Sequence, residues 1–246
     1  MNSINQSIQV YLQENCCKCF NFKAVLFDMD GVIYDSMPNH ASTWAKVMQS
    51  HGFNMTEEEA YMHEGRKGDE TINIISNREG KVVGAEERQR IYQEKTELFG
   101  LNPDVLPIKG SLELLRKVTR SGLFAMLVTG SGQPSLLDRL NNDFPDIFTR
   151  ERMITAFDVI NGKPHPEPYL TALQKGNLKP YETIVVENAP LGIESARSAG
   201  LFVIAVNTGP LPDSILLDAG AHILFPSIEA LSNNWESLLN RLISYP

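Results

Sequence analysis

The chain has 246 residues and a formal net charge of −8, a length that suits one large domain or one domain carrying a smaller insert. An acidic balance disfavours nucleic acid and anionic membrane, both of which need a basic surface to release counterions. No apolar stretch approaches the roughly 20 residues of a membrane span, so small molecules are the expected partners.

Near the start, Ile4, Ile8, Tyr11 and Leu12 fall at helical spacing and predict a short docking helix within an N-terminal extension over 1–21. That extension lacks the basic-then-apolar order of a signal peptide, so the cytoplasm is the expected compartment. Its "CCKC" holds all three cysteines, Cys16, Cys17 and Cys19. With no second cluster and no paired histidines this is a poor zinc site, and no disulfide framework exists.

Four β-rich runs follow, "KAVLFD", "LFAMLVT", "TIVVEN" and "FVIAVN", alternating with amphipathic helical segments. That alternation is the pattern of a parallel sheet covered on both faces, an α/β fold. More than ninety residues separate the first two runs, too many for one crossover. Within them, Pro38 precedes a helix expected over His40 to His51, Thr56 to Glu59 reads as a capping box, Asp69 to Asn77 carries Ile72, Ile74 and Ile75, and Ala85 to Phe99 is charged and amphipathic. The expectation is a small helical cap over 36–107, inserted after the first strand of a core made of 22–35 and 108–246. "SLELLRKVTRSG" then resumes as a sheet-covering helix that stops at Gly122.

In open α/β sheets ligands bind beyond the carboxyl ends of the strands. The first run ends in Asp28 and Asp30, the second in Thr129, the third in Glu187 and Asn188, with Lys163 in the loop between the second and third. Oxygen ligands of this kind suit Mg²⁺, which keeps waters and takes a substrate phosphate. A lysine and a hydroxyl offset and hold a phosphoryl dianion that carboxylates would otherwise repel. Phosphoryl transfer uses every part: Asp28 as a nucleophile that becomes an aspartyl phosphate, and Asp30, two residues on, as the acid/base, with Gly31 permitting the turn.

The segments "FDMDGV", "LVTGS", "GKPHPEPY" and "VVENAPLGIESARSAG" resemble, in order, the four motifs of the haloacid dehalogenase superfamily of phosphotransferases, over Lys23 to the C-terminus. The resemblance implies a Rossmann-like core and assigns Asp28, the Asp30 main-chain carbonyl and Glu187 to Mg²⁺. It also places Thr129 and Lys163 on the transferring phosphoryl group, followed by Gly130 and Ser131. Asn188 stands where most relatives carry a second aspartate, which implies weaker metal binding. Within the superfamily "FDMDGVIYDSMPNHASTW" is most similar to the β-phosphoglucomutase-like subfamily, with Ser36, His40 and Trp44 at its cap-side positions and His40 supporting Asp30. Glu64 and Gly68 stand where the mutase pattern has a lysine and an arginine. Arg66 and Lys67 between them are either substitute grips or a solvated turn.

The function expected is Mg²⁺-dependent phosphoryl transfer through an aspartyl phosphate on a small phosphate ester of the sugar-phosphate kind. Loss of two cap cations favours net hydrolysis over the alternative, interconversion of β-glucose 1-phosphate and glucose 6-phosphate. Asp30 argues against a dehalogenase. A phospho-accepting receiver module uses similar strand-end residues but has no use for a cap of about seventy residues. The oligomeric state is not legible.

Overall fold

The computed structural model describes residues 4–101, 105–132 and 134–245. In chain order these form α1 (Ile4–Glu14), β1 (Ala24–Phe27), α2 (Met37–Ser50), α3 (Glu57–Met62), α4 (Gly68–Arg78), α5 (Ala85–Gly100), α6 (Ser111–Arg120), β2 (Phe124–Val128), α7 (Pro134–Asp143), β3 (Met153–Ile154), α8 (Glu167–Lys175), β4 (Thr183–Glu187), α9 (Pro190–Ser198), β5 (Phe202–Val206), α10 (Asp213–Asp218), β6 (Ile223–Phe225) and α11 (Ile228–Ile243).

The strands make one parallel sheet in the order β3-β2-β1-β4-β5-β6. Alternate strand residues serve opposite faces, as the pleat requires. Val25, Phe27, Ile184, Val186, Phe202 and Ile204 pack beneath α1, α6 and α11, whereas Ala24, Leu26, Val185 and Val203 pack beneath α8, α9 and α10. Burial on both faces explains why these strands read as continuous apolar runs. The order reverses direction between β1 and β4, which places the ligand crevice at their carboxyl ends.

Helices α2 to α5 share an apolar cluster of their own, which includes Val47, Met48, Phe53, Ile72, Ile75 and Ile91. Helix α2 starts at Met37, ahead of the expected His40, because Pro38 sits in the first turn, where a missing N–H costs nothing. The Thr56 hydroxyl accepts from the Glu59 N–H at 3.1 Å. The reciprocal half of the capping box is absent, since the Glu59 carboxylate pairs with Arg78 instead.

Helix α1 is docked as its apolar spacing predicts. Tyr11 is fully buried, stacks on Phe20 at 5.2 Å between ring centroids, meets Phe202 edge-on at 5.4 Å and donates its hydroxyl to the Gly200 carbonyl at 3.0 Å. The three cysteines just beyond it are free thiols. No helix among the described residues is long and apolar enough to cross a membrane. Replacing Tyr11 by Ala should lower the unfolding free energy by about 3–5 kcal/mol in urea titration, and Tyr11→Phe by about 1 kcal/mol. A Tyr11→Ala loss well under about 1 kcal/mol would mean that α1 is a dispensable tail.

Candidate active site

Asp28 and Thr129 each prolong a strand by one ladder bond, the Asp28 N–H to Val186 O at 3.1 Å and the Thr129 N–H to Ile154 O at 2.9 Å. This pins both side chains at the sheet's edge. Lys163 reaches into the same place: its Nζ lies 2.6 Å from Asp28 Oδ1, 2.7 Å from Glu187 Oε1 and 2.9 Å from the Val128 carbonyl. Lys163 and Glu187 have no exposure and Asp28 has 2%. Glu187 is held further by the Tyr169 hydroxyl on Oε1 and by the Asn188 and Ala189 N–H groups on Oε2. Gly192 on α9 makes room for that carboxylate, since a Cβ there would fall 1.7 Å from Oε1.

A second chain of bonds orients Asp30. Its Oδ1 accepts from the Ser36 hydroxyl and lies 3.1 Å from His40 Nε2, while Lys95 Nζ lies 2.6 Å from His40 Nδ1. An ionised Asp30 can only accept, so Nε2 carries the proton toward it and Nδ1 is left to accept from Lys95. Burial pushes the Asp30 carboxyl up, but His40, Ser36 and Lys95 outweigh it and hold it below the ordinary range. Burial and then the neighbouring Lys95 charge push His40 down, so the ring is neutral. Burial lowers Lys95 to about 7.

The third feature joins the cap to the core. Glu64, in the loop between α3 and α4, is buried and accepts from Asn188 Nδ2 at 2.8 Å. Asn188 Oδ1 is buried with no partner. Burial, and next the Asp28 charge, push Glu64 well above the usual carboxylate range. Burial likewise raises Asp28 to about 8, with Lys163 opposing and Glu187 and Asp30 adding. Asp28, Glu187 and Glu64 therefore crowd around the Lys163 ammonium while Asp30 has His40 and Lys95, and carboxyl groups outnumber the buried cations.

That shortage bears on the expected Mg²⁺. Among the described residues no three His, Cys, Asp or Glu side chains form a ready cage, because Asp28 and Glu187 converge on Lys163. Mg²⁺ needs only one or two carboxylates and keeps its waters. The unpartnered Asn188 oxygen, the surplus of carboxyl groups and the all-oxygen donor set fit such an ion.

A cavity of about 50 Å³ lies between the strand ends and the cap. Asp28, Asp30, Thr129, Gly130 and Ser131 line it from the core, and His40, Trp44, Glu64, Arg66 and Lys95 from the cap. The Thr129 hydroxyl accepts from the Ser131 N–H at 2.9 Å, which leaves its own proton free to donate into the cavity. Ser36 stands behind Asp30 and Asn188 beside Glu64. Both Glu187 oxygens accept from protein donors, Oε1 from Lys163 and Tyr169 and Oε2 from the Asn188 and Ala189 N–H groups. Lys67 is not among the residues that line the cavity, and its Nζ lies on the Val159 and Ile160 carbonyls at 3.3 and 3.2 Å. Sequence reading missed Lys95 and treated Glu64 only as a lost cation. Lys95 had left a signal, because it follows Ile91 and precedes Phe99 at intervals of four on the buried stripe of α5.

An acid pair, a hydroxyl and a buried lysine at the switch point of a parallel sheet define an enzyme site of the phosphoryl-transfer type. A family model for haloacid dehalogenase-like hydrolases matches residues 25–206, and the chain belongs to that family. It is 32% identical to hexitol phosphatase A of Escherichia coli over 75% of this chain and 83% of that one. It is 28% identical to the β-phosphoglucomutase of Bacillus subtilis over 87% and 96% of the two chains. A solved structure from Bacteroides vulgatus, provisionally described as a β-phosphoglucomutase, superposes with a TM-score of 0.94 at 53% identity, covering 97% of this chain and 98% of that one.

The raised Asp28 carboxyl gives a pH test. The folded chain keeps that proton up to about 8, whereas the unfolded carboxyl loses it from 3.8. The folded state then binds more protons, so this group's contribution to stability is present at low pH and is lost as pH rises across that window. Asp28→Asn removes the group, and the melting temperature of the variant minus that of the parent should become more positive from about pH 5 to about pH 8. A difference that stays flat or falls would mean that Asp28 is ionised throughout.

Proposed function

We propose that this chain is a Mg²⁺-dependent phosphatase that transfers the phosphoryl group of a small phosphate ester to Asp28 and then to water. The observation that carries this reading is the pairing at the tip of β1: Asp28 fixed through Oδ1 by Lys163, and Asp30 held by Ser36 and His40 on the same cavity. The ionised form of Asp28, favoured once a cation offsets its acidic neighbours, attacks phosphorus through Oδ2 and the bond to the leaving oxygen breaks, while a proton brought in on the substrate phosphate passes through Asp30 to that oxygen. Asp30 then takes a proton from the water that attacks the aspartyl phosphate, and phosphate departs. The resting, ionised Asp30 suits the second step. The charge of an arriving phosphoryl group raises its affinity for the proton that the first step needs.

Thr129 donates to the transferring oxygens, and Lys163 offsets their charge while orienting Asp28. Asp28, the Asp30 carbonyl, Asn188 Oδ1 and Glu64 would hold Mg²⁺, which supplies the positive charge that this carboxylate-rich site lacks. Residues 36–107 act as the cap over a core of 22–35 and 108–246, and the cytoplasm is the working compartment.

Sugar phosphates are the favoured substrate class, supported by relatives named hexitol phosphatase, phosphorylated carbohydrates phosphatase and β-phosphoglucomutase. Hydrolysis is favoured over mutase chemistry because Glu64, an acid, faces the cavity where a mutase-like cap presents a cation. Arg66 remains as the cap's grip, with its Nε buried and unpartnered. The small cavity calls for a panel graded by size, from inorganic pyrophosphate and glycerol phosphates to hexose phosphates, with phosphate release and glucose 6-phosphate formation measured separately. Phosphate release with no isomerised sugar is the expected result, and rapid glucose 6-phosphate formation from β-glucose 1-phosphate without free phosphate would overturn it.

In the same assay Asp28→Asn should abolish turnover, and Asp30→Asn should slow it by about 10²- to 10⁴-fold. Near-parental activity in Asp28→Asn would sink the covalent route. Glu64→Gln should raise the Mg²⁺ concentration needed for half-activity by about 10- to 100-fold. An unchanged requirement would remove Glu64 from the metal.

A further inference from the structure

The cap loop and the loop that carries Lys163 are joined by contacts that the chemistry above leaves unused. Lys67, directly before α4, turns away from the cavity and donates to the carbonyls of Val159 and Ile160 at 3.3 and 3.2 Å. Both carbonyls belong to the loop that runs on to Lys163. Next to Lys163, Gly162 is seated on Lys67 itself: a Cβ at Gly162 would lie 2.7 Å from Lys67 Cγ and 3.0 Å from its main-chain nitrogen. The Gly162 N–H faces Glu70 Oε1 at 3.5 Å. On the far side of the same seam a Cβ at Gly65 would come within 2.9 Å of Lys163 Cδ, and one at Gly130 within 2.0 Å of the Gly65 carbonyl oxygen. Main chain sits on main chain, and the seam has no slack.

We infer that Lys67 is a positioning residue that clasps the cap loop to the Lys163 loop, so that closing the cap and fixing the Lys163 ammonium on Asp28 are one event. The Lys163 stem passes under Gly65 on its way to Asp28 and Glu187. Lifting the cap loop therefore uncovers the stem of the very group that orients the nucleophile. Lys67 holds that cover by binding two carbonyls three and four residues upstream of Lys163, with no contact to the reacting atoms. Its catalytic consequence rests on the phosphatase reading, but the clasp itself can be measured without turnover.

The test is amide hydrogen exchange of the ligand-free protein, read by mass spectrometry. Lys67→Met should speed exchange over 63–68 and 159–163 together, by about tenfold for the loss of charge-assisted hydrogen bonds, with the sheet unchanged. Lys67→Arg, which keeps donors for both carbonyls, should restore protection. Gly162→Ala should loosen the same two segments, and by less when built on Lys67→Ala, where the Cγ it strikes is gone. In turnover assays Lys67→Met should lower kcat/KM by one common factor for every substrate of the panel. Unchanged exchange over 159–163 in Lys67→Met would overturn the clasp, as would equal effects of Gly162→Ala in both backgrounds. A KM rise confined to substrates with a second negative charge would instead make Lys67 a direct grip.

Discussion

The Lys163 ammonium lies in a dry pocket within hydrogen-bond reach of two carboxylates, with two more carboxyl groups just beyond, and the architecture around it follows from that imbalance. A buried charge without a partner is severely destabilising, so Asp28, Glu187 and the Val128 carbonyl must all be delivered to one point. Three adjacent strands do this: β1 supplies Asp28, β2 ends at Val128 and β4 ends at Glu187. Tyr169 from α8 and the main-chain N–H groups at the start of α9 complete the shell. The parallel core therefore holds one cation and the Asp28 carboxyl in register.

The same imbalance gives meaning to the seam between cap and core. The superfamily's usual pattern puts an acid at the position of Asn188, whereas here the amide is neutral and the acid comes from the cap as Glu64. The two meet at 2.8 Å. The acidic group has moved across the seam, so in the proposed mechanism the full set of oxygen donors for a cation exists only with the cap closed. The proposed Lys67 clasp and the glycine contacts beside it belong to the same closed arrangement.

Much of this was legible in the sequence, for physical reasons. Strands buried on both faces announce themselves as apolar runs, and the residues that end them are forced to the ligand edge, which exposed Asp28, Asp30, Thr129 and Glu187. The two edge strands escaped because β3 and β6 have only two and three residues, too short for a pattern. Lys95 hid because a cation on an apolar stripe looks like a break in the stripe rather than a support for His40. Glu64 and Lys67 lie in an irregular loop where no periodicity tells direction. One turns into the site and the other out of it, a difference that shows only in the contacts of the folded chain.

The central claim is that Asp28, fixed by Lys163, is the atom donor that receives the phosphoryl group. It is tested most directly by quenching Asp30→Asn in acid during turnover, reducing with borohydride and mapping the product by peptide mass spectrometry. An aspartyl phosphate is reduced to homoserine, so the mechanism predicts homoserine in place of Asp28 and at no other carboxylate. Phosphate release with no homoserine formed, or homoserine in place of another acid, would contradict it.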